Sequence, residues 1–243
     1  MTEDYNPLQD LTSQELIRTE GGMTVEVSKV ISDSDRDGIW AMLQAGFVDL
    51  NRRTYEKQDM TLEEYQADLD SNNVLKYVAR SADDTPSGYL SVHVGFDDIT
   101  WTDTTRLSEE QNKLDPTADP YYIGTLVVLP DARRTETAPK LLQAALTHFK
   151  QVNTLTGRNS IVFFDCADAN YPWLGNFVKN LALPSADFEG VNTTITELYE
   201  EFWVKDNVSG EVSIARELPD ENAQCTVLDT QHYYGLTLDL TTK

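Results

Sequence analysis

Residues 121–149 constrain the fold more than any other part of the chain. Residues 121–129 are predominantly apolar, as expected of a strand buried on both faces. Pro130-Asp131 stops that run. Ala138, Leu141, Leu142, Ala145, Leu146 and Phe149 then recur at helical spacing, which predicts an amphipathic helix. A buried strand entering a tight loop that opens into a helix aims unpaired backbone N–H groups at one point, together with the positive helix end. Such a point suits a phosphate. Arg133, Arg134 and Lys140 add local positive charge. An ordinary strand–turn–helix with a basic turn fits the same residues, so this pattern alone leaves the chemistry open.

The flanking sequence supplies a sheet for that unit. Residues 1–22 are polar, end in Gly21-Gly22, and read as an arm or short helix outside the core. Residues 23–243 read as a single domain. TVEVSKVI alternates like a half-buried strand. Ile39, Leu43, Phe47 and Leu50 predict a helix capped by Ser34 or Asp35. Thr61 followed three residues later by Glu64 is a capping-box pattern. Strands are expected at 74–80 and 88–96, joined by the turn DDTPSG. Residues 97–120 read as an insertion with a helical piece near 108–113. A buried strand over 160–166 and a short helix over 170–183 follow, and the final sixty residues read as strands. The expected class is α/β, a central mixed β-sheet flanked by helices.

Charge narrows the partners. The chain of 243 residues carries 41 acidic and 19 basic side chains, a formal net charge of −22. Such a surface repels nucleic acid and anionic lipid and favours cationic partners, although a simply solvated acidic surface meets the same numbers. No run approaches the roughly 20 apolar residues that cross a bilayer. The N-terminus lacks a basic start and apolar block, so a cytoplasmic protein is expected. Cys166 and Cys225 make no disulfide framework, and Cys166 within IVFFDC reads as a buried thiol. His93, His148 and His232 stand apart with no metal-ligand spacing, so no metal is expected.

The loop resembles motif A of the GNAT (GCN5-related N-acetyltransferase) superfamily. There a strand ending V-x-P precedes R-x-x-G-x-G/A and a helix. Val128 and Pro130 match the strand end, Arg133 the first loop position and Ala138 the last. The resemblance extends by element order over most of residues 23–243. It implies that the loop, Arg133, Arg134, Thr135, Glu136, Thr137 and Ala138, binds the pyrophosphate of acetyl-CoA or another acyl-CoA. It further implies that backbone groups of Leu126, Val127 and Val128 hold the pantetheine and acyl group, and that Asn170 contacts the cofactor.

Three positions depart from that family pattern. Glu136 stands where glycine is usual, and its carboxylate would repel phosphate unless it points away. Phe177 replaces a tyrosine that would protonate the leaving thiolate, and Gly124 replaces a glutamate general base. Tyr122, Tyr121 and His93 are the available substitutes. Two readings stay open. One is an acyl-CoA-dependent N-acyltransferase acting on a small amine or a basic peptide. The alternative is a catalytically degenerate GNAT-fold binding or regulatory protein. A third, transfer from an acyl carrier protein, meets charge repulsion because such carriers are acidic.

Overall fold

Nine strands form one mixed sheet in the computed structural model, which describes residues 15–18, 24–28, 31–54, 60–133, 136–167, 191–220 and 223–240. In chain order the elements are β1 (Glu15–Arg18), β2 (Thr24–Ser28), α1 (Asp33–Leu50), α2 (Leu62–Asp70), β3 (Val74–Arg80), β4 (Pro86–Val94) and α3 (Thr104–Leu114). Then come β5 (Asp119–Val128), a 3-10 turn (Pro130–Ala132), α4 (Thr137–Thr156), β6 (Ser160–Ala167), β7 (Val191–Asp206), β8 (Val212–Ala215) and β9 (Cys225–Leu240). The strand order is β1-β2-β3-β4-β5-β6-β9-β7-β8. All neighbours are antiparallel except β5 and β6, which the crossover helix α4 joins in parallel.

Helices cover both faces. α4 buries Leu141, Leu142, Ala145 and Phe149 against Val25, Leu75, Leu90, Tyr121, Val162 and Leu236. The Phe149 ring stacks on Tyr121 at 4.2 Å between centroids. Asn153 fixes the far end of α4, donating to the Leu238 carbonyl (3.0 Å) and accepting from Ser160 Oγ (2.5 Å). Gly88 permits the close seating of this helix: a Cβ there would lie 2.8 Å from Thr137 Cγ2 and 2.9 Å from Leu141 Cδ1. On the other face α1 and α2 bury Ile39, Met42, Leu43, Tyr65 and Leu69 against Val78, Tyr89 and Val127. α3 adds Leu107 to a cluster with Tyr122, Ile161, Phe163, Tyr199 and Tyr233.

Several local readings meet their structure here. The Thr61–Glu64 capping box forms with both reciprocal hydrogen bonds. α1 begins earlier than expected, with Ser32 at the N-cap position; its side chain makes no capping bond to the backbone, and its Oγ instead donates to Asp35 Oδ2 at 2.6 Å. Asp35 is thereby committed to an ion pair with Arg80 (2.7 Å), which also holds Glu26 (2.9 Å). The Arg80 guanidinium keeps the Asp35 carboxyl below its ordinary range. Glu15–Arg18, inside the segment read as an arm, forms the edge strand β1 against β2. The helical piece expected in the insertion is α3. The helix read over 170–183 lies outside the described residues.

Candidate active site

The two central parallel strands separate part-way along. Their pairing runs from Asp119 with Ser160 to Tyr122 with Phe163 and ends there, although β5 continues to Val128 and β6 to Ala167. Over residues 123–128 one edge of β5 therefore has no strand partner among the described residues. Sequence reads this strand as buried on both faces, yet Ile123, Thr125, Leu126 and Val128 are only half-buried. The apolar side chains line an opening instead of a packed interior. A cleft of about 1500 Å³ follows it, bounded by β5, by Phe164 and Cys166 of β6, and by Leu142 and Phe149 of α4.

A β-bulge shapes the cleft on the α2 side. Ser91 pairs with Thr125 and Val92 with Ile123, so Gly124 is an extra residue in β5. A Cβ on Gly124 would lie 2.8 Å from His93 Nε2 and 3.2 Å from Ser91 Oγ. His93 thus occupies the space a side chain at position 124 would need. The imidazole of His93 stands 3.3 Å from Asp68 Oδ1, which projects from α2. Burial depresses His93 to about 4 and raises Asp68 to about 6, the latter opposed by Lys76 and reinforced by Asp98. Lys76 is fully buried beneath them, donates to the Ser71 carbonyl at 2.6 Å, and is itself lowered to about 8 by burial. Above pH 6 the pair is then a neutral imidazole whose Nε2 faces a carboxylate, while Nδ1 is buried away from the cleft, so proton transfer at this end involves Nε2 and Asp68 together.

Trp101 closes over this pair. Its ring meets His93 edge-on at 5.1 Å and Tyr122 at 6.4 Å, and it remains 52% exposed. An exposed indole beside a carboxylate offers a cation a π-face. Tyr122, read from sequence as a candidate acid or base, pairs with His93 in the sheet register. Its ring is fully buried and does not line the cleft; its hydroxyl donates to Asp165, which does. Burial raises both groups, and Gln231 supplies Asp165 with a second hydrogen bond.

The far end of the cleft is the loop before α4. Ala132, Arg133, Ala138 and Pro139 line it, whereas Glu136 does not. The Glu136 side chain is 78% exposed and pairs with Lys140 one turn along α4 (3.1 Å). The carboxylate that threatened to repel phosphate is therefore turned out of the loop. The first turn of α4 contains no acidic residue, Glu136 at its N-cap makes no side-chain capping bond, and Pro139 brings no N–H, so the helix dipole carries most of the pull on an anion. Thr137 is fully buried against β4 and serves packing. Arg133 Nη1 is held by Asp49 Oδ2 at 2.8 Å. Leu126, Val127 and Val128 all border the cleft, with Val127 also packing beneath α1 and α2. Arg134, Thr135, Asn170 and Phe177 lie outside the described residues.

Asp68, Trp101 and Asp165 escaped the sequence reading. Asp165 carried one available signal, a carboxylate inside the apolar run IVFFDC. Asp68 and Trp101 carried none, since only folding brings α2 and the insertion to β4. Gly124→Ala is expected to displace the imidazole and lower turnover on the order of 10- to 100-fold, with little change in urea stability. Steady-state kinetics beside a urea melt would separate those effects.

No family model and no curated protein matches the sequence. Solved structures do. The chain is similar to the ribosomal-protein-S18-alanine N-acetyltransferase of Escherichia coli at 10% identity and TM-score 0.48, covering 90% of this chain and 97% of that one. It is similar to an apo agmatine N-acetyltransferase at 12% identity and TM-score 0.49, covering 88% and 99%. It is also similar to Arabidopsis thaliana NAA60 in complex with acetyl-CoA, at 12% identity and TM-score 0.44, covering 89% and 98%. At such identities and scores the functional reading rests on the geometry of this chain.

Proposed function

We propose that the protein is an acyl-CoA-dependent N-acyltransferase, with acetyl-CoA as its donor and a cationic amine as its acceptor. The carrying observation is the splay of β5 from β6, which joins an anion-attracting loop at one end to the His93–Asp68 pair at the other. Residues 123–128 offer backbone groups along one wall, as an extended pantetheine arm requires. The uncapped first turn of α4 and the outward Glu136 fit a pyrophosphate. Acyl-CoA supplies the activated acyl thioester. The His93–Asp68 pair takes the proton from the incoming ammonium, through His93 Nε2 and the carboxylate beside it at the cleft. Backbone N–H groups at the bulge around Gly124 can stabilise oxyanion charge. A thiolate leaves with less help than an alkoxide would, because a thiol ionises far more readily than an alcohol.

Cleft charge supports a cationic acceptor, either a small amine or a basic peptide. Among the described residues seven carboxylates line it, including Asp68, Asp97 and Asp98, against two guanidinium groups, Arg53 and Arg133. Both arginines are engaged by Asp49. The acceptor end is therefore strongly negative, and Trp101 adds an aromatic face.

Release of free thiol from acetyl-CoA, followed across diamines, basic peptides and neutral amines, tests this reading. Turnover is expected with cationic acceptors, with KM rising as salt screens the cleft. Tight acetyl-CoA binding without turnover on any amine would instead favour the catalytically degenerate binding protein. Failure to bind acyl-CoA at any salt concentration would overturn the acyltransferase reading.

A further inference from the structure

A second β-bulge assembles a side-chain cluster apart from the cleft. In the β7–β9 register Glu197 pairs with Tyr234, Tyr199 pairs with Tyr233, and Glu200 pairs with His232, so Leu198 is the extra residue. Residues three apart on a regular strand face opposite sides. The bulge cancels that alternation: Glu197 and Glu200 are partnered by Tyr234 and His232, which share one face of β9. The three polar side chains consequently converge. His232 Nδ1 lies 2.9 Å from Glu200 Oε1 and 3.7 Å from Glu197 Oε1, and one ligand atom from each residue falls within 4.8 Å of the others.

These separations have the scale of a coordination sphere. Ligands bound at about 2.0–2.2 Å around a tetrahedral zinc ion sit about 3.3–3.6 Å from one another. The observed 2.9 and 3.7 Å bracket that spacing. His232 is buried, so its ring is held in place by the sheet, while the two glutamates are half-exposed and can adjust. One buried imidazole and two adjustable carboxylates make a three-ligand set with a fourth position open to water. We propose that Glu197, Glu200 and His232 bind a divalent transition-metal ion, zinc(II) being the cation the set fits best.

The nitrogen ligand sets the selectivity. Magnesium and calcium prefer all-oxygen shells, whereas imidazole with carboxylates suits zinc. To bind, His232 presents the Nδ1 lone pair and carries its proton on Nε2, and the ion replaces the present Nδ1 contact with Glu200. The bound ion clamps β7 to β9 at the irregular point of their pairing. Gln231 and Glu201, the chain neighbours of His232 and Glu200, point to the opposite face and border the acceptor cleft. None of Glu197, Glu200 and His232 lines the cleft, although Cys166, the cross-strand partner of His232, does, and the test of the site does not depend on acyl transfer.

The experiment is calorimetric titration of the metal-free full chain with zinc chloride at 0.5 M sodium chloride, where general attraction to an acidic surface is screened. One equivalent of zinc is expected to bind, with a rise in melting temperature and no displacement by excess magnesium or calcium. A Glu197→Gln, Glu200→Gln double variant, which alters only half-exposed groups, should weaken binding at least 10-fold. His232→Gln should do the same, with circular dichroism confirming its fold. Cobalt(II) should show the intense visible bands of a four-coordinate site. No binding, binding that vanishes at high salt, equal binding by the variants, or equal competition by magnesium would each overturn the assignment.

Discussion

Replacing His93 with glutamine is expected to lower kcat for amine acylation by about 10²- to 10⁴-fold, the usual contribution of a positioned general base. Acetyl-CoA affinity should barely change, because the imidazole sits at the acceptor end while the anion-attracting loop lies at the other. Asp68→Asn should give a smaller loss by removing the carboxylate beside Nε2. The pH dependence has a definite sign. Asp68, raised by burial to about 6, must be ionised to assist, so activity should rise as pH passes upward through that region. His93, depressed to about 4, is neutral throughout the same range and adds no second limb. In Asp68→Asn the rise near pH 6 should disappear. Rate profiles of both variants and wild type, taken with saturating acetyl-CoA, provide the check.

Phe149→Ala should give the largest loss of stability. The ring is fully buried, stacks on Tyr121, and anchors α4 to the strand that borders the cleft. Truncating a buried Phe costs about 3–5 kcal/mol, from lost burial plus the cavity left behind. In a chain of this length each kcal/mol shifts the midpoint by about 2–4 °C, so the melting temperature should fall by roughly 6–20 °C. Phe149→Leu keeps most of the volume and should recover more than half of that. Scanning calorimetry of the three proteins measures both changes.

Much of the frame was legible because it follows from local rules. The apolar run of β5 and the helical period of α4 reappear as strand, loop and helix in the places their residues demanded. The Thr61–Glu64 box appears with both hydrogen bonds, since its chemistry spans three residues. The cleft was less legible, because register is a property of two strands at once. Gly124 read as a loss, the absence of a base. In the sheet it is the vacancy that admits His93. Glu136 likewise read as an obstacle until its pairing with Lys140 turned it outward. Asp68 reaches His93 only because α2 folds back over β4, a contact between residues 25 positions apart that no spacing rule encodes. The cluster at His232 has the same origin, for without a bulge Glu197 and Glu200 would face opposite ways.

The central claim is that the open edge of β5 receives an acyl-CoA. Amide hydrogen exchange with and without saturating acetyl-CoA tests it most directly, since it reads backbone groups residue by residue. Protection is predicted over residues 123–128 and the first turn of α4, with exchange in β1, β2 and β3 unchanged. Acetyl-CoA that binds yet protects some other surface, or leaves residues 123–128 exchanging as before, would contradict it.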